Sequence, residues 1–252
     1  MIAGLCLFLL RRDTLATAGL RPADRVRAGS HEPAGPLTAG EWKRIAAISI
    51  LFAFTILFWS AYEQKGASLN LFARHLVRTQ LGGWEFPASW LQSMTPFYVI
   101  VLAPIFARMW MRMGDRQPSS PIKFALGLAA IGLAFCLLVP ASALTASGKI
   151  SPLWLAAVYF LDVVGELCLS PVGLSTVTKA APARLVGLMM GAWFFATSLG
   201  NKLAGYFSGF FAADDPGVLM RLYGGIAAGL LLSALILAFA APALKRFMAQ
   251  ES

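Results

Sequence analysis

Ser151-Pro-Leu-Trp-Leu-Ala-Ala-Val-Tyr-Phe-Leu-Asp-Val-Val-Gly-Glu-Leu-Cys-Leu-Ser-Pro-Val-Gly-Leu-Ser-Thr-Val177 is a run of 27 residues with only two charges, Asp162 and Glu166. About 20 apolar residues suffice for a helix to cross a bilayer. The run is long enough, and its two acids stand four apart, on one helix face. Outward from it the pattern repeats. Apolar runs cover about residues 45–62, 90–113, 121–143, 185–211 and 218–244. Pro96 and Pro104 fall inside the second of the six spans, where neighbouring helices can satisfy the freed carbonyls. Thr38 and Glu41 frame a capping box for the first span, whose pattern stays helical to about Val77. Gly82, Gly83 and Pro87 then break it. The expected fold class is an all-α integral membrane protein built as a six-helix bundle.

Bulk composition agrees. Hydrophobic residues make up 58% of the 252 residues and charged residues 13%; mean hydropathy is +0.69. Soluble domains carry roughly 25% charged residues. With half that, the chain cannot cover a core with polar surface, which excludes a soluble enzyme, a disordered tail and a disulfide-stapled secreted domain. Cys6, Cys136 and Cys168 sit in apolar runs with no metal or redox spacing, and read as small buried hydrophobes. His31 and His75 are far apart, so no metal site is expected.

The net charge of +9 does not imply nucleic acid, because no basic face is interleaved with aromatic side chains. The basic residues cluster between spans and report orientation. Fifteen of the 21 lysines and arginines fall in 11–44, 108–123, 179–184 and 245–246, all on one side of the proposed topology. Lys65, Arg74, Arg78, Lys149 and Arg221 lie on the other, and Lys202 lies within a span. The rich side is expected to be cytoplasmic, with the C-terminus. Met1–Leu10 is apolar but half a span long, and Arg11-Arg12 follow it, the reverse of a signal peptide. The expected organisation is therefore the tail of a truncated membrane helix at 1–10, a cytoplasmic loop at 11–44, a six-helix bundle at 45–244 and a cytoplasmic tail at 245–252. Gly187/Gly191, Gly205/Gly209 and Gly225/Gly229 form small-xxx-small pairs, expected to let helix backbones approach.

Charges inside a membrane cost roughly 2.5–3.5 kcal/mol each on insertion scales. Glu63, Asp162, Glu166 and Lys202 are the candidates. Asp162 and Glu166 repel at their spacing, so one should keep a proton or borrow a cation. A carboxyl in a low-dielectric pocket binds its proton more tightly, and a neighbouring cation draws it off. Glu63 can therefore load and unload a proton, or it is a wet structural glutamate near the outer end of its span; spacing does not choose. Glu166 either holds a substrate amine or forms a static ion pair. Trp59 and Trp193 stand mid-span, where tryptophan serves packing or a cavity wall. No enzyme motif is present, and no nucleophile–base pair supports an intramembrane enzyme.

Several strings carry a resemblance. Phe58-Trp-Ser-Ala-Tyr-Glu-Gln64 with Ser68-Leu-Asn-Leu-Phe-Ala73 resembles the seventh helix of the proton-dependent oligopeptide transporter family (POT, or PTR) of the major facilitator superfamily. Gln92-Ser-Met-Thr-Pro96 with Ala103-Pro104 resembles its eighth. Gly165-Glu-Leu-Cys-Leu-Ser-Pro-Val-Gly-Leu-Ser175 with Thr178-Lys-Ala-Ala-Pro182 resembles its tenth, and Met190-Gly-Ala-Trp-Phe194 through Gly200-Asn-Lys-Leu-Ala-Gly205 its eleventh. The resemblance implies proton-driven uptake of di- and tripeptides across the inner membrane, with protons as coupling ion and no other cofactor. It implies that Glu63 is the proton-linked glutamate and that Glu166 meets the peptide amino terminus. Trp59, Ser170 and Trp193 would line the binding cavity. Asp162, Lys202 and Asn201 are candidate modulators.

Three residues depart from the family pattern. Thr95 stands where the family usually has Asn, a contact to the peptide backbone. Asp162 stands where it often has an amide, and an added acid there would shift the proton affinity of Glu166 or favour cationic peptides. Arg74 replaces a common acid and would rearrange an outer-gate ion pair. The family has at least twelve spans, with substrate between two six-helix bundles, and only the second bundle is legible here. The expected partners are therefore peptide, the lipid bilayer and a missing N-terminal bundle. Two readings stand: the C-terminal half of a proton–peptide symporter that is active only with that bundle, or a truncated membrane protein that does not transport.

Overall fold

The computed structural model describes residues 36–81 and 83–248. The chain divides into units at 1–37 and 38–252; the second contains every element below. The expected helix tail at 1–10, most of the loop at 11–44 and the last four residues lie outside the described residues. Among the described residues, six helices are long and apolar enough to cross a membrane, and the chain is a multi-pass membrane protein.

α1 spans Ala39–Tyr62. Thr38 and Glu41 form a full capping box: the Glu41 amide donates to Thr38 Oγ1 at 3.2 Å, and the Thr38 amide donates to Glu41 Oε2 at 2.8 Å. The cap starts the helix ahead of its apolar run, so Lys43 and Arg44 are helical rather than in the expected loop. The Arg184 guanidinium lies 2.9 Å from Glu41 Oε2 and ties this end to the turn Ala183–Leu185.

The expected continuation to Val77 is broken. A 3-10 turn at Glu63–Gly66 and a non-helical Ala67 (φ −112°, ψ −104°) separate α1 from α2, Ser68–Leu76. α2 buries Leu69, Phe72 and Ala73 and exposes Arg74 and His75. Backbone bonds between Leu76, Arg78 and Ile150 join its end to the loop at 148–152. A two-residue hairpin, β1 (Gln80–Leu81) and β2 (Trp84–Glu85), follows, with Gly83 at φ 86° in its turn.

α3 covers Met94–Met113, α4 Ser120–Leu144, α5 Leu153–Ala180, α6 Val186–Ser208 and α7 Pro216–Met248. α4 packs most extensively on α7 and then on α5, while α1 packs on α6 and α7. The core centres on Leu128, Ile131, Phe135 and Leu138 of α4, with Tyr159 of α5 and Tyr223 of α7. Only Thr95 of α3 is buried.

Lipid is as apolar as leucine, so close packing rather than burial holds such helices together. The glycines responsible are not the expected ones. A Cβ on Gly127 would lie 3.0 Å from the Gly165 carbonyl oxygen, and one on Gly165 2.9 Å from that of Gly127; this crossing joins α4 to α5. Around Gly187, Gly191, Gly205, Gly225 and Gly229 a Cβ would meet nothing within 4 Å, and a Cβ on Gly209 would meet only the Tyr206 carbonyl of its own turn. Their four-residue spacing puts them on shared faces, but among the described residues those faces make no close helix contact; Gly225 and Gly229 instead line a cavity with Leu57, Ser60 and Ala61 of α1. Of the cysteines, Cys168 is buried as expected and Cys136 is exposed; Cys6 lies outside the described residues.

Candidate functional site

The break after α1 is held by polar atoms. Gln64 is fully buried, and its Nε2 donates to the carbonyls of Ser60 (3.2 Å) and Ala204 (3.0 Å). Ser68 Oγ donates to Gln64 Oε1 at 2.7 Å. The turn is thereby fixed to α6, and Gln92 Nε2 binds the Lys65 carbonyl from the α3 side at 3.1 Å.

This turn carries Glu63 and Lys65 to the face of α5 that bears Tyr159, Asp162 and Glu166. These three stand at i, i+3 and i+7, on one side of the helix. The Tyr62 hydroxyl donates to Glu166 Oε2. Its ring stacks on Phe58 (5.7 Å, 16°) and meets Trp59 edge to face (5.2 Å, 85°). The Lys65 ammonium lies 3.2 Å from the Tyr62 ring centroid, close enough for a cation–π contact. Glu166, Glu63 and Asp162 all act on Lys65 electrostatically. Lys65 thus acts on these three carboxyl groups at longer range than an ion pair, its ammonium resting on the Tyr62 ring.

Several buried polar atoms around this cluster have no hydrogen-bond partner: both carboxyl oxygens of Asp162, the Tyr159 hydroxyl, Trp59 Nε1 and Thr95 Oγ1. Asp162 is 1% exposed. Buried polar atoms are almost always satisfied, and each orphan costs about 1–3 kcal/mol. A stable protein keeps such a concentration of them where a function requires it.

The candidates therefore separate. Glu63, Trp59, Asp162 and Glu166 gather around Tyr62 and Lys65. Ser170 is half-buried on α5, one turn past Glu166. Trp193 is packed away at 2% exposure, edge-on to Phe52 of α1 (6.1 Å) and Phe124 of α4 (6.3 Å). Its ring fills the space that a Cβ on Gly173 would need. Asn201 and Lys202 are exposed on α6. Sequence reasoning missed Tyr62, Gln64, Lys65, Ser68 and Gln92, and it counted Lys65 with the outer loops. The spacing Ser60, Gln64, Ser68 is a polar stripe of helical period and was the available signal.

The family model described as "PTR2: POT family" matches residues 37–241. The chain belongs to the POT family. It is 39% identical over 210 residues to peptide transporter YePEPT of Yersinia enterocolitica, covering 81% of this chain and 41% of that protein. It is 37% identical over 194 residues to dipeptide and tripeptide permease A of Escherichia coli, covering 75% of this chain and 38% of that one. A crystal structure of peptide transporter POT, a glutamate-to-glutamine variant in complex with alafosfalin, matches with a TM-score of 0.80 at 35% identity. That match covers 86% of this chain and 44% of the other. These POT relatives are transporters, not enzymes, and the six-helix bundle is of their kind. The chain spans less than half the length of each.

Proposed function

We propose that this chain supplies the C-terminal bundle of a proton-coupled di- and tripeptide symporter and works with an N-terminal six-helix bundle. The observation that carries the reading is the cluster of Glu63, Asp162 and Glu166 around a single lysine. Buried charge without compensation is costly. Three carboxyl groups stand against one ammonium, so the cluster has room for added positive charge. A peptide amino terminus at Glu166 and a proton at Glu63 supply it. Each lowers the cost of the other, and that mutual dependence is coupling in the thermodynamic sense.

The peptide ammonium would replace the Tyr62 hydroxyl at Glu166. Lys65, held over the Tyr62 ring, would then shift toward whichever carboxylate is left unpaired. Trp59 and Ser170 line this approach, and Thr95 offers a hydroxyl to the peptide backbone. Because Trp193 is packed between α1, α4 and α5, its contribution is to set the spacing of those helices. Asn201 and Lys202 modulate from the exposed face of α6. The clustered basic residues support an inner-membrane location with the C-terminus in the cytoplasm. Membership of a peptide-transporter family supports the substrate class.

The test is uptake of labelled dipeptide by cells that express the chain with an N-terminal bundle. Glu166→Gln should raise KM for peptides with a free amino terminus at least tenfold, since hydrogen bonds to charged groups contribute about 1.5–3 kcal/mol. N-acetylated peptides should be transported equally poorly by both forms. Equal KM values for the free peptide would contradict the assignment of Glu166.

A further inference from the structure

A cavity lies at the other end of α5, away from the Lys65 cluster. It has a volume of about 940 Å³ and opens where α3 ends, α4 begins, and α5 and α7 end. Lys123, Lys179 and Lys245 line it, each from a different helix, and among the described residues no carboxylate does. Lys123 is 8% exposed. Its ammonium lies 2.7 Å from Gln117 Oε1 and 4.3 Å from the Trp110 ring centroid. Trp110 also lines the cavity, and its Nε1 is a buried donor without an acceptor. The first turn of α4 enters through Ser119 and Ser120, and the Ser119 side chain does not cap it. Pro121 has no N–H and the Lys123 amide is taken by the Ser119 carbonyl, so the turn is left with the Ser120 and Ile122 amides and the positive end of a helix dipole.

The charged groups at this end are all cations, which with the indole N–H suit an anion. Gln117, Ser119, Ser120, Ser175 and Thr176 add neutral polar groups, and the rest of the wall is apolar. Phe106 of α3 and Leu167, Pro171 and Val172 of α5 continue it toward the middle of the spans. A free phosphate ion needs no such wall, whereas a lipid places a charged phosphate at the level of the helix ends and an acyl chain beside them. Basic pockets between helix ends bind acidic headgroups in this way.

We propose that this cavity binds an anionic phospholipid, its phosphate held by Lys123, Lys179 and Lys245 and an acyl chain lying along α3 and α5. The inference does not depend on peptide transport.

The experiment is native mass spectrometry of the full chain from micelles doped with equal amounts of phosphatidylglycerol or phosphatidylcholine. Phosphatidylglycerol should be retained at lower concentration than phosphatidylcholine. Each lysine near the headgroup should contribute about fivefold, so Lys179→Ala with Lys245→Ala should weaken retention about thirtyfold. Lys179→Arg with Lys245→Arg should preserve it. Millimolar inorganic phosphate should not displace the lipid. If the alanine pair fails to fold, Ser120→Glu reads the same site, because it adds a negative charge at a helix N-terminus that tolerates one; it should also weaken retention. Equal retention of the two lipids, unchanged retention in the variants, or displacement by inorganic phosphate would each overturn the proposal.

Discussion

Asp162 is the residue on which this chain differs most usefully from the pattern it resembles. It is buried, neither carboxyl oxygen has a partner, and it shares Lys65 with two other acids. An amide at this position would remove a charge whose burial nothing nearby fully compensates. Asp162→Asn is expected to keep the fold and raise the melting temperature in detergent, while reducing any preference for cationic peptides. A fall in melting temperature would mean that the carboxylate is paired in solution. The acids themselves were legible in the sequence, because charges in apolar runs stand out and the resemblance gave them roles. Tyr62 and Lys65 were not. A tyrosine beside a tryptophan reads as packing, and a lysine past a span reads as loop, until the turn at Glu63–Gly66 brings both against α5.

At the scale of elements, the six spans were readable because length and hydropathy decide them. The end of α1 was not: the Ser60, Gln64, Ser68 stripe marks a polar face, but not that Gln64 is held by the Ala204 carbonyl of α6, 140 residues away. Glycine spacing misled for a related reason: it finds faces but not what those faces meet. Gly200 is where α6 touches α1, since a Cβ there would lie 2.6 Å from Trp59 Cβ and 2.9 Å from the Ile56 carbonyl. Gly200→Val should therefore destabilise the bundle by about 1–3 kcal/mol, as overpacking generally does. Gly205→Ala, which meets nothing within 4 Å, should melt with the native chain. Thermal unfolding in detergent, followed by helical circular dichroism, reads both. Equal losses would show that these helices pack differently.

At the scale of the whole molecule, a bundle with its carboxyl groups gathered near one turn offers one wall of a pocket. Transporters of this architecture bind substrate between repeats near the midplane, so the charge-balance account needs a second bundle to close the site. The account's centre is that Glu63 takes the transported proton. Its most direct test uses proteoliposomes holding the chain with an N-terminal bundle, an imposed inward proton gradient and labelled dipeptide. Glu63→Gln should abolish accumulation against the peptide gradient while leaving peptide-for-peptide exchange intact. A Glu63→Gln protein that still concentrates dipeptide when the gradient is applied would contradict it.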